Sequence, residues 1–215
     1  MSGAPSVVFD HLVIAGITLA QAIDYVADLT GVAARPGGQH VAMGTHNAFV
    51  RLGDRSLIEL IAIDPTLPRP PRARWFDLDQ EALATSLGER PRLITWVART
   101  SDLELAVKAA KVDPGHVQPM SRGDFRWRIT IPDDGHRPAG GVLPTLIQWD
   151  VDKHPADGLP DDGVSLEQLA ASHPSPEVMR AALAALGLGE TLRVTYGVVP
   201  RLAAMLRTPR GLVTL

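Results

Sequence analysis

Short apolar runs alternate along the chain with segments whose apolar residues recur every three or four positions, and this alternation lays out the elements. Val7 to Ala15 is apolar and β-branched, as a buried strand requires, and leads into Leu19-Ala20-Gln21-Ala22-Ile23-Asp24-Tyr25-Val26, which has helical spacing. Thr18 is placed to cap that helix. Gly31 and the turn Arg35-Pro36-Gly37-Gly38 end it. Three short strands are expected next, around His40 to Met43, Asn47 to Leu52 and Leu57 to Ile63, with Gly53-Asp54 as a hairpin turn between the last two. The order is β-α-β-β-β. A Pro/Arg-rich connector from Asp64 to Arg74 follows, then a short helix near Gln80 to Leu87. The order then begins again: a strand Leu93 to Ala98, a helix Leu103 to Ala110 capped by Ser101 or Asp102, and strands Phe125 to Ile131 and Thr145 to Asp150 around the Gly-rich stretch Asp133 to Gly141.

Overlaying the halves supports a duplication. His11-Leu-Val-Ile-Ala-Gly-Ile-Thr-Leu19 lies on Thr95-Trp-Val-Ala-Arg-Thr-Ser-Asp-Leu103 without a gap, and Leu57-Ile58-Glu59-Leu60 lies on Leu146-Ile147-Gln148-Trp149. The modules span 7–63 and 92–150 within a region 1–160. Residues 161–215 form a shorter third β-α-β-β-β unit packed on it: a strand Val164 to Ala170, a helix opened by Ser175-Pro176-Glu177 and running to Leu186, then strands Leu192 to Tyr196, Arg201 to Arg207 and Leu212 to Leu215. The fold class is α+β.

Composition narrows the function. The 215 residues carry a net charge of -3, with 45% hydrophobic and 21% charged residues, which argues against an electrostatic nucleic-acid binder. The absence of cysteine excludes disulfides, thiolate nucleophiles and Cys-ligated metals. The apolar run near the N-terminus is short and interrupted, without a basic leader, so neither a membrane span nor a signal peptide is expected and a cytoplasmic protein is. The 19 Gly and 18 Pro residues suit a strand-rich chain with many tight turns. The Arg69 to Arg74 run, interleaved with Pro, reads as an exposed connector.

Phe9-Asp10-His11-Leu12-Val13, Gly38-Gln39-His40, Met43-Gly44-Thr45-His46-Asn47 and Leu57-Ile58-Glu59-Leu60-Ile61, followed by Arg92-Leu93-Ile94-Thr95-Trp96 and Pro144-Thr145-Leu146-Ile147-Gln148-Trp149, resemble the vicinal-oxygen-chelate superfamily and its glyoxalase-like branch, related to the bleomycin-resistance and extradiol dioxygenase fold. The resemblance implies tandem βαβββ modules forming a curved mixed sheet around an open cup. It also implies a divalent ion (Zn, Ni, Mn or Fe) held by His11, Glu59 and Gln148, with Glu59 as the catalytic residue and no nucleotide cofactor. A small oxygenated metabolite would bind there, and pairing into a homodimer is implied as well. The reaction is a metal-dependent lyase or isomerase step; the alternative is a non-catalytic protein that sequesters a small molecule. Thr95 and Gln148 depart from the family pattern. Gln148 replaces the second-module glutamate of lactoylglutathione lyases, which argues against that activity, and Thr95 replaces the second His of a dioxygenase unless His40 or His46 supplies it.

Each candidate also has a structural reading. His11 can be a hydrogen-bonded core histidine, although Glu59 in an apolar strand needs a partner. Thr95 is an ordinary strand former. His40, His46 and Asn47 lie in a Gly-rich segment that either turns at the surface or lines the cup. Trp96, Phe125, Trp127 and Trp149 are core or cup-wall aromatics. Arg126 and Arg128 alternate with aromatics, giving a cationic strand face that is either solvated or a carboxylate-recognition surface. His154 and His173 read as loop residues.

Overall fold

The structure, a computed structural model, describes residues 5–215. The first module comprises β1 (Val7–Ala15), α1 (Leu19–Thr30), β2 (Arg35–His40), β3 (Thr45–Gly53) and β4 (Ser56–Ile63), and a connector carries α2 (Glu81–Glu89). The second comprises β5 (Arg92–Thr100), α3 (Leu103–Ala109), β6 (His116–Arg122), β7 (Phe125–Ile131) and β8 (Thr145–Trp149). All eight strands join one curved sheet in the order β2-β3-β4-β1-β5-β8-β7-β6. In both modules the first strand runs parallel to the last, and the modules meet where β1 lies antiparallel to β5. This is the tandem cup expected from the sequence.

Two strands differ from the expectation, and both are sheet edges. β2 uses Arg35 to His40, read above as mostly turn, while Val41–Met43 is a single 3-10 turn. β6 was not anticipated at all. Each contains a proline, Pro36 or Pro119, which breaks a strand pattern but is tolerated at an edge, where one side needs no N–H donor.

The remaining elements, β9 (Ser165–His173), α4 (Pro176–Ala185), β10 (Arg193–Tyr196), β11 (Arg201–Thr208) and β12 (Gly211–Thr214), form a four-stranded sheet in the order β10-β9-β11-β12. The β-α-β-β-β element order holds, but the wiring differs from the modules. β9 sits between β10, to which it is parallel, and β11, to which it is antiparallel, whereas β1 pairs directly with the last strand of its module.

Alternation along the strands separates two apolar layers. On the outer face Leu12, Ile14, Ile58, Leu60, Trp96 and Leu146 pack with α1, α3 and the four-stranded sheet in one continuous core. Each fully buried Leu or Ile there contributes roughly 1.5–3 kcal/mol. On the inner face Val13, Ile61, Val97, Ile129 and Ile147 meet connector residues Trp75, Phe76 and Leu78 and the α2 residues Leu83 and Leu87. The Pro/Arg-rich connector is largely exposed from Pro65 to Ala73, apart from the buried Pro70, and the segment directly after it, Trp75 to Leu78, packs into the cup. Arg74, where the two meet, is buried and pairs with Asp79 (Nη1 to Oδ1, 2.6 Å). Phe76 and Asp77 take left-handed backbone conformations (φ 62° and 61°), which Asp77 offsets with bonds from its N–H to Gly135 O (2.9 Å) and from Arg137 Nε to its carboxylate (2.5 Å). Among the described residues no helix is long and apolar enough to cross a membrane.

Candidate functional site

The inner face leaves a cavity of about 440 Å³, counting its open mouth. Its polar floor is His11 (β1), His40 (end of β2), Asn47 (β3), Glu59 (β4) and Arg122 (β6); its walls are Phe49, Trp75, Phe76, Trp127 and Trp149. His11 and Glu59 are each 7% exposed. The Gly37-Gly38 pair makes this assembly possible: a Cβ on Gly37 would lie 2.1 Å from Asn47 Oδ1, and one on Gly38 would lie 2.9 Å from Arg122 Cδ.

Beneath the cavity lies Asp10, fully buried at a register irregularity between Phe9 and His11 in the β1–β5 pairing. His11 Nδ1 donates to Asp10 Oδ1 (2.6 Å), and Trp149 Nε1 donates to Asp10 Oδ2 (3.1 Å). His154 Nδ1 accepts from the Ala156 N–H (3.1 Å), so its proton is on Nε2, 3.3 Å from Asp10 Oδ2. Arg99 Nη1 adds a charge at 3.6 Å. On the cavity side His11 Nε2 faces Glu59 Oε2 (3.5 Å), and Asn47 Nδ2 donates to Glu59 Oε1 (2.5 Å). Asn47 Oδ1 accepts from Gly38 N (3.0 Å) and from Arg122 Nη1 (2.8 Å), which fixes its amide orientation.

These contacts set the protonation states. Burial opposes charge on His11, but the hydrogen bonds and charges of Asp10 and Glu59 outweigh it and raise its pKa to about 9. Burial likewise opposes the Glu59 carboxylate, yet the His11 bond and charge, His40 and the Asn47 bond bring it down to about 2. Asp10 is driven down against burial by its bonds to His11 and His154. His40 falls to about 4, chiefly through burial, with Arg122 and His11 adding to the effect against Glu59. At neutral pH His11 is therefore imidazolium between two carboxylates, while His40 is neutral. Its Nε2 lies near the N–H groups of Asn47 (3.4 Å) and Arg122 (3.3 Å), and its Nδ1 bonds Thr45 Oγ1 (3.2 Å).

Of the residues proposed from sequence, His11, Glu59, His40 and Asn47 meet in the cavity. Gln148 does not: its Oε1 accepts from the Leu103 N–H (2.9 Å) at the start of α3, on the opposite face. The overlay of Glu59 on Gln148 matched apolar character but slipped by an odd number of residues, and any odd slip reverses the face. In the strand pairing, Val13 lies opposite Glu59 and its counterpart Val97 lies opposite Thr145, so Thr145 is the structural equivalent of Glu59. Thr95 is fully buried opposite Val13, away from the cavity lining. Trp96 belongs to the outer core, with its Nε1 donating to Val142 O (3.0 Å). His46 faces away from the cavity toward Asp64 (3.5 Å). Arg126 donates to Gly123 O and Phe125 O, and Arg128 pairs with Asp150 and Glu104, so the cationic face of β7 is the outer one. Truncating Gln148 to Ala should lower stability by about 1 kcal/mol through the lost helix-start bond, as urea unfolding would read, and leave ligand binding in the cup unchanged.

Sequence reasoning overlooked Asp10, Arg122 and His154. Asp10 carried a readable signal, a carboxylate adjacent to His11 inside an apolar strand. His154, 1% exposed, read as a turn residue, and Arg122 lay in the unrecognised edge strand.

The donor set can be tested against the divalent ion implied by the resemblance. The first module is suited to half of such a site, since Asp10 fixes the His11 tautomer in the manner of an outer-shell carboxylate. The second module places threonines, Thr95 and Thr145, where His11 and Glu59 stand in the first. Asn47 turns an N–H group, not a lone pair, toward Glu59. Among the described residues no three His, Asp or Glu side chains gather as an ion cluster. The residues do not fit the two-module cage.

A hypothetical protein from Staphylococcus aureus shares the fold at a TM-score of 0.61 and 15% identity, covering 91% of this chain and 88% of that one. Methylmalonyl-CoA epimerase from Mycobacterium tuberculosis aligns over 66% of this chain and 85% of its own at 22% identity and a TM-score of 0.39. The Streptomyces coelicolor epimerase in complex with 2-nitronate-propionyl-CoA aligns over 66% and 97% at 17% identity and a TM-score of 0.40. No curated protein matches. The glyoxalase-like domain family matches residues 9–187, the whole cup and the start of the second sheet. With its paired βαβββ modules, the chain therefore belongs to the glyoxalase-like domain family of the vicinal-oxygen-chelate superfamily.

Proposed function

We propose that the chain is a lyase- or isomerase-type enzyme acting on a small oxygenated metabolite in the cup. The observation that carries this reading is the buried Asp10–His11–Glu59 relay at the floor of an aromatic-walled cavity. Strongly perturbed ionisable groups gathered in a cleft mark functional sites. His11, charged and positioned, would stabilise negative charge developing on a substrate oxygen, and Glu59 would move the proton of the adjacent carbon. A divalent ion, if the protein takes one, would have only His11 and Glu59 as firm protein ligands, with water or substrate completing its shell.

The low pKa values of Glu59 and His40 favour a second reading, since weakly basic groups serve binding better than proton abstraction. In it the cup sequesters a small molecule without turning it over.

Metal content of chelator-free protein, beside His11→Ala and Glu59→Ala, tests the ion: one per chain, lost in both variants, is the supporting result. Proton transfer is tested by solvent-deuterium exchange into a panel of small 2-oxo and 2-hydroxy acids, followed by NMR. Exchange in the wild type that Glu59→Gln lowers by roughly a hundred-fold, the lower range for one acid–base group, supports an enzyme. Binding without exchange leaves the sequestering cup. Sedimentation of the same material tests the homodimer that the family implies.

A further inference from the structure

The cavity has a cation with no ionic partner. Arg122 Nη1 is engaged by Asn47 Oδ1 (2.8 Å) and lies 3.3 Å from His40 Nε2, yet among the described residues no carboxylate pairs with the guanidinium. Its Cζ lies 5.2 Å from the Phe49 ring centroid and 5.9 Å from that of Phe125, within cation–π range of both. Gly38 gives its stem room at the edge of the sheet.

The charges facing the cavity can be followed one by one. His11 Nε2 and Glu59 Oε2 face each other at 3.5 Å. Asp10 lies underneath and is matched by Arg99. Arg122, half-buried in the cavity lining, has no carboxylate within salt-bridge distance among the described residues. A half-dehydrated guanidinium favours a planar anion that accepts two parallel N–H bonds, and a carboxylate meets that geometry. Trp127, Trp149, Trp75 and Phe76 line the same cavity and give it an aromatic surface that suits a flat apolar body.

We infer that the cup is selective for small monoanionic carboxylates with a flat apolar body, with the carboxylate on Arg122 and the body between the aromatic walls. This rests on the cup being a ligand site, and not on any reaction occurring there. In this arrangement Arg122 selects the ligand while the His11–Glu59 pair faces whichever oxygenated carbon lies next to the carboxylate.

Calorimetry on the chelator-treated full chain would compare benzoate, phenylacetate and phenylpyruvate with the neutral amides benzamide and phenylacetamide, with benzylamine as a cation. At least one acid should bind about ten-fold or more tightly than its amide, and benzylamine should not bind, as expected for a charge-assisted contact. In Arg122→Gln the ratio of acid to amide affinity should fall to about one. Equal binding of acid and amide by the wild type, no binding of any acid, or a preference that survives in Arg122→Gln overturns the inference. Because the wild-type comparison decides without a variant, misfolding of Arg122→Gln leaves the test intact. Arg122→Lys, which keeps the charge and loses the planar fork, should retain part of the preference. Deuterium exchange lost in Glu59→Gln, together with equal binding of acid and amide, would keep the enzyme reading and discard this one. Acid selectivity without exchange would do the reverse.

Discussion

Replacing Asp10 with Asn should destabilise the fold by about 3–5 kcal/mol, the range for leaving one side of a buried charged network unpartnered. The substitution is nearly isosteric, so packing is preserved and the effect is electrostatic. Every group around Asp10 is a donor: His11 Nδ1, Trp149 Nε1, His154 Nε2 and the Arg99 guanidinium. A carboxylate has lone pairs for all of them, but an amide places an NH2 among them and leaves at least one N–H without an acceptor. His11 would at the same time lose its strongest partner and its reason to stay charged. Guanidinium unfolding of the chelator-treated protein gives the measurement, against a typical total stability of only about 5–15 kcal/mol. A change below about 1 kcal/mol would mean that Asp10 is not the anchor of the relay.

The second large effect is on the alkaline side of the pH–stability curve. His11 has a folded pKa of about 9 against the ordinary value of 6.5, so folding favours its protonated form. Its contribution is complete below pH 6.5 and is lost as the pH rises through about 9. At about 1.4 kcal/mol per unit this amounts to about 3 kcal/mol. The acid side runs the other way. Glu59, held near 2, and Asp10, lower still, contribute fully above their unfolded pKa values near 4 and lose that contribution as the pH falls. His40, depressed to about 4, is stabilised as the neutral form, so its contribution fades as the pH drops from 6.5 toward 4. Stability of the metal-free protein should therefore peak near pH 6.5. In His11→Gln the decline between pH 6.5 and 9 should vanish, and the acid limb should shrink as well, because His11 is the main group that lowers Glu59 and Asp10. An unchanged alkaline limb would place the titrating group elsewhere.

The local signals that proved reliable were those in which a single element carries its own pattern. β1, β4, α1 and α4 were readable because a buried strand needs a continuous apolar run and a packed helix needs spacing near 3.6. Thr18 and Asp102 cap α1 and α3 as expected, accepting from Gln21 N and Leu105 N. His11 and Glu59 stood out because ionisable groups inside apolar strands require partners. The edge strands β2 and β6 were obscured by Pro36 and Pro119, since proline has the same local signature in a turn and at a sheet edge.

What the sequence by itself determined is the duplicated βαβββ order, the apolar faces of the strands, the first-module pair His11 and Glu59, and the family resemblance that these carry. Tertiary structure alone decided the rest. It turned Gln148 outward and put Thr145 in register with Glu59, because the side a residue faces depends on exact strand pairing, and an apolar overlay is blind to an odd slip. It brought Asp10, Trp149 and His154 together across 144 residues, and set Arg122 of one sheet edge against Gly38 of the other. Such contacts arise from closure of the cup, a long-range event that leaves no periodic trace in the chain.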